Sequence, residues 1–244
     1  MKIFLCLLTG DKNISELTRD VATRETTILH VLKEFKSLSL VTKSKGRYRL
    51  TSIGMINAKI CKDYSQTVDV LEEFKAFWLP HDISSIPTHL MIQLGYLKGS
   101  ILVKTETSEL GKVHQTFLEV LMSANQIKGA SPIFHSDFVT TFKQLLDKGG
   151  KVELILTSLV LKKILATAES DLLKKYMTMG NLKIYVKDDL KVALTVTESA
   201  FSLGLFALNG EYDYNMDLVS LNPQSVHWGH ELFKNLLLDA GGPI

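Results

Sequence analysis

Apolar positions recur at three- and four-residue steps through the first third of the chain. They then give way to short apolar runs divided by polar turns. Met1 to Leu8 fits a helix that Gly10 would stop, and Asn13 or Ser15 can cap a second over Ser15 to Ala22. Thr23 to Glu25 make a turn. A third helix starts at Thr26 or Thr27 and runs to about Leu38, with Ile28, Leu32 and Phe35 on its inner face. Thr26, Thr27, His30 and Lys33 then project to the opposite side. Leu40-Val41 begins a strand, Ser44-Lys45-Gly46 forms a turn, and Tyr48 to Thr51 is the return strand.

This order, in ISELTRDVATRETTILHVLKEFKSLSLVTKSKGRYRLT (residues 14–51), is the layout of a winged helix-turn-helix. Small polar and basic side chains on the outer face of the third helix suit entry into a DNA groove, because they reach base edges and phosphates without leaving bulky apolar groups in water. Four cations, Lys43, Lys45, Arg47 and Arg49, cluster on the hairpin and would track phosphates. An "LTxxG" pattern (Leu50, Thr51, Gly54) follows. The same layout also serves protein contact, so that alternative stays open.

Ile53, Ile56, Ile60, Tyr64, Thr67, Leu71, Phe74 and Trp78 keep helical spacing through a stretch without proline, which predicts one amphipathic helix or two joined ones. Its apolar stripe could pack on its own head or pair with a second copy. Pro80, Ser84, Ser85 and Pro87 mark a boundary. Beyond it, strands are expected at Ser100–Lys104, Ile127–Ser131, Val152–Leu156, Leu182–Val186, Ala193–Thr197, Ala200–Leu208 and Tyr214–Ser220, with helices at Leu110–Ala124, Asp137–Lys148, Leu159–Tyr176 and Gln224–Leu238. Near-continuous apolar strands alternating with helices predict an α/β sheet covered on both faces, in a chain that is α+β overall. The expected domains are a winged helix-turn-helix at 1–54, a helical connector at 55–84 and an α/β regulatory domain at 85–244.

Charge sharpens this division. Residues 1–62 hold 12 Lys/Arg against 5 Asp/Glu, whereas the rest holds 16 against 21, so a basic head sits on an acidic body. Cys6 and Cys61 lie in apolar segments with no C-x-x-C partner, which argues against a disulfide framework or a zinc cluster and fits a reducing cytoplasm. The apolar start KIFLCLL is too short to span a bilayer, and no membrane association is expected. His227 and His230 stand three apart on the closing helix but lack the acid of a metalloprotease helix. No G-x-S-x-G, Walker loop or G-x-G-x-x-G occurs, so no catalytic residue, metal or cofactor is assigned. Glu198, Glu211, Asp213 and Asp217 lie on or between late strands; they could line a pocket or solvate loops, and loop solvation is the favoured reading. Strand ends and late loops nominate Ser131, Phe134, His135, Thr157, Tyr212 and Tyr214 as a ligand pocket.

Three separated stretches carry a family resemblance. SPIFHSDFVTTFKQLLDKGGKVELILT (131–157), FWLPHDISSIP (77–87) and VHWGHELFKNLL (226–237) resemble winged-helix transcriptional regulators of methanogenic archaea, which share a methanogenesis regulatory protein middle domain. The resemblance implies a DNA-binding regulator with an ArsR-like head and leaves the effector unnamed. The C-terminal part is also similar, more loosely, to the phospholipase D-like fold, a mixed sheet whose enzymes need H-x-K-x4-D. Here Lys187 to Ser199, KDDLKVALTVTES, contains no His, which implies a catalytically degenerate version. The leading expectation is a dimeric regulator of duplex DNA whose C-terminal domain senses a small molecule or mediates assembly. A phosphoester-acting enzyme and a protein-interaction scaffold are the alternatives.

Overall fold

A computed structural model describes residues 1–105, 112–167 and 170–243. The chain divides into two compact units, Met1–Val68 and Asp69–Ile244. The first contains α1 (Lys2–Leu8), α2 (Ile14–Val21), α3 (Glu25–Ser37), β1 (Val41–Ser44) and β2 (Arg47–Leu50), and α4 (Ser52–Glu73) begins in it. This is the winged helix-turn-helix order. Asn13, rather than Ser15, starts α2: its Oδ1 accepts from Glu16 N at 2.9 Å while Glu16 Oε2 accepts from Asn13 N at 2.7 Å. The reciprocal pair satisfies two helix-start donors, an arrangement worth about 1 kcal/mol. Ala22 ends α2 with a left-handed φ of 53° and turns the chain into α3. Leu17, Ile28 and Leu32 are buried, and Phe35 stacks on Phe4 with centroids 4.1 Å apart.

The Leu50-Thr51-x-x-Gly54 pattern has a mechanical explanation. Thr51 Oγ1 donates to the Ser39 carbonyl at 2.7 Å and accepts from Gly54 N at 3.0 Å, so one hydroxyl both closes the hairpin and starts α4. A Cβ at residue 54 would lie 1.9 Å from the Leu40 carbonyl oxygen, so only glycine lets the helix begin there.

The second unit opens with the last turns of α4, then α5 (Lys75–Trp78), β3 (His81–Asp82), α6 (Thr88–Met91) and a 3-10 turn at Leu94–Leu97. There follow β4 (Ile101–Lys104), α7 (Lys112–Met122), β5 (Gln126–Ser131), α8 (Ser136–Asp147), β6 (Lys151–Leu156), α9 (Ser158–Thr167), α10 (Ser170–Thr178), β7 (Leu182–Val186), β8 (Val192–Val196), β9 (Phe201–Ala207), β10 (Met216–Ser220) and α11 (Pro223–Leu238). The sheet order is β4-β10-β9-β8-β5-β6-β7, with β3 paired to β9. β5, β6 and β7 are parallel, while β8, β9, β10 and β4 join antiparallel. The fold is therefore α/β with a mixed sheet, in a chain that is α+β overall.

Some sequence expectations change. The helix expected over Leu159–Tyr176 is described as α9 and α10, and residues 168–169 of that expectation lie outside the described residues. The connector does not stand as a module: Ala58 of α4 lies in the core of the first unit, and Val70, Phe74 and Phe77 lie in that of the second. The short elements β3 and α6 were not expected at all. The helix expected from Leu110 begins, among the described residues, at Lys112.

Each face of the sheet has its own core. Ile127, Val152, Leu154, Leu156, Leu182 and Ile184 pack with residues of α8, α9 and α10. Val192, Leu194, Val196, Phe201, Leu203 and Leu205 pack with α11. Trp228 anchors that helix, fully buried with Nε1 donating to the Leu90 carbonyl at 3.0 Å. The intervening positions of β8 and β9, namely Ala193, Thr195, Ser202 and Gly204, are small. The two-residue pleat sends them to the opposite face.

Candidate functional site

Two sites emerge, one in each unit. In the head, Thr26, Thr27, His30 and Lys33 are all exposed on α3. His30 Nε2 lies 3.3 Å from Glu34 Oε1, so this face carries an acid as well as bases. The wing turns at Lys45 (φ 47°) and Gly46 (φ 78°), the two positive φ values of a tight type I′ hairpin turn.

The pleat divides the four wing cations. Lys43 pairs in register with Tyr48 and places Nζ 5.1 Å from the centre of that ring. Arg47 and Arg49 share the other face with Ser44 and Thr42. Both arginines are engaged within the head. Arg49 forks onto Asp11 at 2.9 and 2.7 Å, and Arg47 reaches the Asp11 carbonyl at 2.5 Å and Glu16 at 3.0 Å. The Arg49 guanidinium holds the Asp11 carboxyl below its usual range. Glu16 is lowered too, first by its bond from the Asn13 backbone and then by Arg47. Lys45, at the tip, makes no ion pair among the described residues. Two of the four wing cations thus already meet carboxylates that the segment before and at the start of α2 supplies.

In the second unit the small residues of β8 and β9 leave a cavity of about 100 Å³ between the sheet and α8 and α9. Ser131, Phe134, His135, Tyr212 and Tyr214, nominated from the sequence, all line it. Thr157 does not: its hydroxyl accepts from Val160 N at 3.3 Å and starts α9, so a strand-end position became a helix cap. His135 and Tyr214 are exposed at the rim, and Thr195, Ser202 and Asp217 form the floor.

Asp217, for which the sequence favours loop solvation over a pocket, lines the cavity. It is only 6% exposed, and Ser202 Oγ donates to its Oδ2 at 2.9 Å. Its Oδ1 has no hydrogen-bond partner. The Tyr212 hydroxyl stands close enough to lower the Asp217 carboxyl, the smallest of the influences on it, without completing a bond to Oδ1. A Cβ at residue 204 would sit 2.1 Å from the Tyr212 hydroxyl and 2.5 Å from Asp217 Oδ1, so Gly204 is what makes room for both. Burial is the main cause that pushes the Asp217 carboxyl up to about 7, and Asp213 adds repulsion. Burial likewise raises the Tyr212 hydroxyl well above the usual phenol value. The available signal was a lone acid inside the apolar strand MDLVS. The other late acids are structural or solvated. Glu198 accepts from the Asn125 and Gln126 backbones, Asp213 meets the buried His81 at 3.2 Å, and Glu211 is exposed. Of the closing-helix histidines, His227 is exposed and His230 is half-buried with its pKa lowered, first by burial and then by Lys128. No group of three or more metal-ligating side chains occurs among the described residues.

The family model for the middle domain of methanogenesis regulatory protein FilR1 matches residues 110–239, and that for the FilR1 N-terminal domain matches residues 1–69. The chain belongs to the FilR1 methanogenesis regulatory protein family. It is 32% identical over 241 residues to methanogenesis regulatory protein FilR1 of Methanothrix harundinacea (strain 6Ac), covering 96% of this chain and 53% of that protein. It thus spans about half the length of the curated relative it matches. In FilR1 terms the wing and α3 fall within the N-terminal domain, and every residue lining the cavity falls within the middle domain. Among solved structures, the archaeal chromatin protein TrmBL2 has a TM-score of 0.48 at 17% identity, over 99% of this chain and 92% of that one. The phospholipase D family member Nuc from Salmonella typhimurium has a TM-score of 0.42 at 10% identity, over 59% of this chain and 97% of that one. Among the described residues no helix is long and apolar enough to cross a membrane.

Proposed function

We propose that the chain is a DNA-binding transcriptional regulator whose second unit takes a small-molecule effector. The observation that carries this reading is the head itself. An exposed polar helix face, Thr26, Thr27, His30 and Lys33, stands beside a tight wing tipped by the unneutralised Lys45, in the basic part of an otherwise acidic chain. In this reading α3 enters the major groove, and Lys45 and Lys43 hold phosphates. Arg47 and Arg49 are held in reserve, because each must leave a carboxylate before it meets DNA. Membership of a family of regulatory proteins supports the same assignment.

A homodimer is part of the proposal. Ile53, Ile56, Ile60 and Tyr64 of α4 are 57%, 60%, 62% and 64% exposed and recur at three- and four-residue steps. Such a stripe suits pairing with a second copy, and a pair of heads reads two half-sites. The enzyme alternative is the weaker reading: the His of H-x-K-x4-D is missing from Lys187 to Ser199.

The test is duplex binding followed by fluorescence anisotropy across a salt series. Lys45→Ala should weaken all sequences alike and reduce the salt slope by about one. A slope unchanged from that of the parent chain would overturn the assignment of the wing to phosphate.

A further inference from the structure

The cavity in the second unit is apolar except at one place, and that place is acidic. Its lining side chains that can carry charge are Asp217, His135, Tyr212 and Tyr214, with no lysine or arginine among them. Burial keeps the Tyr212 phenol protonated, and His135 stays at the rim beside Asp137. Asp213, in the same loop as the tyrosines, adds a second negative charge near Asp217 and is itself met by His81. Asp217 Oδ1, nine-tenths or more removed from water, completes no hydrogen bond, although the Tyr212 hydroxyl stands beside it. A buried carboxyl oxygen without a donor is costly unless something supplies one. Around it stand rings: Tyr212 and Tyr214 meet edge to face with centroids 4.9 Å apart, and Phe134 and Phe138 line the same space. Aromatic faces attract cations and repel anions.

We propose that this cavity binds a small organic cation, an ammonium group on a compact apolar body, with Asp217 Oδ1 as the acceptor and the tyrosine and phenylalanine rings around the charge. The proposal deepens the regulator reading by naming the chemical class of the effector. A neutral alcohol could donate the same single bond but would leave the carboxylate's charge uncompensated. A carboxylate or phosphate would meet Asp217, with Asp213 behind it, and no lysine or arginine among the lining residues; Lys163, 6.0 Å from the centre of the Phe134 ring, is the cation nearby. The volume, about 100 Å³, restricts the buried part to a body near the size of one aromatic ring.

The test uses the full chain without DNA and three probes of equal shape: phenethylamine, 2-phenylethanol and phenylacetate. Dissociation constants are measured by ligand-observed NMR at constant ionic strength. Phenethylamine should bind at least tenfold tighter than the alcohol, and phenylacetate should not bind. The amine stays protonated from pH 6 to pH 8, as lysine does with its pKa near ~10.4. Its affinity should therefore rise about tenfold over that interval as Asp217 ionises around 7. Asp217→Asn should abolish both the preference for the amine and the part of the pH rise that Asp217 supplies. Equal affinity for amine and alcohol, tighter binding of phenylacetate, an unaltered Asn variant, or no binding of any probe at ~10 mM would each overturn the proposal. The probe series on the parent chain decides even if the variant fails to fold. Because DNA is absent, a negative result leaves the reading of the head intact, and an unchanged salt slope for Lys45→Ala leaves this one intact.

Discussion

Asp217 makes the stability of the second unit depend on pH in an unusual direction. Its carboxyl titrates near 7 when folded against the ordinary 3.8 when unfolded. Between those values the folded chain holds a proton that the unfolded chain releases, so stability must fall as pH rises through the window and level off above 7. At about 1.4 kcal/mol for each tenfold change in proton affinity, the whole fall is roughly 4 kcal/mol, of which some 2–3 kcal/mol lies between pH 5 and pH 7. Replacing Asp217 with Asn keeps an acceptor for Ser202 Oγ–H but removes the charge. The variant should gain on the parent chain by about 1.4 kcal/mol per pH unit up to 7 and then hold a constant lead. The measurement is urea unfolding followed by tryptophan fluorescence. Trp78 and Trp228 are the only tryptophans and both lie in the second unit, so the signal ignores the head. Other titrating groups, such as His230 with its lowered pKa, are common to both chains and cancel in the difference. A variant-minus-parent difference that stays flat from pH 5 to pH 8 would refute the reasoning.

Three further outcomes follow from the head. Asp11→Asn releases Arg49 from its forked ion pair, so duplex affinity and the salt slope should both increase in the anisotropy assay; a decrease would mean that Asp11 is needed to aim the arginine. Gly54→Ala drives a methyl group against the Leu40 carbonyl and should destabilise the first unit by about 2 kcal/mol or more. Hydrogen exchange would show this as lost protection across 2–50 with the second unit unchanged. Ile60→Glu places a charge in the exposed stripe of α4 and should convert a dimer into a monomer by light scattering, with Trp fluorescence unaltered.

How much of this was legible depends on whether the deciding partner lies near in sequence. The head was readable because its signals are local: Asn13 with Glu16, the Lys45-Gly46 turn, and Ile28, Leu32 and Phe35 at helical spacing. The fate of Arg47 and Arg49 was not. The acids that neutralise them, Asp11 and Glu16, arrive from the α1–α2 segment more than thirty residues away. The pocket shows the same division. Strand-end reasoning reached Ser131, Phe134 and His135, and the late loop gave Tyr212 and Tyr214, because chain direction alone places such positions at one edge of a sheet. It erred at Thr157, where a helix start three residues on claimed the hydroxyl. It favoured loop solvation for Asp217, whose burial rests on pairing with Val103 of β4, on Ser202 of β9 and on the missing side chain of Gly204. Nothing within a few residues of MDLVS reveals those neighbours.

The stability penalty and the proposed ligand can be tested against each other through one carboxyl. Folded domains are stable by only ~5–15 kcal/mol, so a charge that costs several of them near neutral pH is a large liability in an unliganded chain. A bound cation cancels the liability by favouring the ionised form, and linkage requires the reverse as well: the ion stabilises the fold most where the carboxylate is most penalised. In saturating phenethylamine the decline in stability between pH 5 and pH 7 should therefore flatten, and the amine should raise the unfolding midpoint more at pH 8 than at pH 6. The Asn variant should show neither effect. A ligand that merely filled the cavity with its apolar body would lift both pH values equally. A decline that survives saturation by the amine would therefore separate occupancy of the cavity from recognition by Asp217.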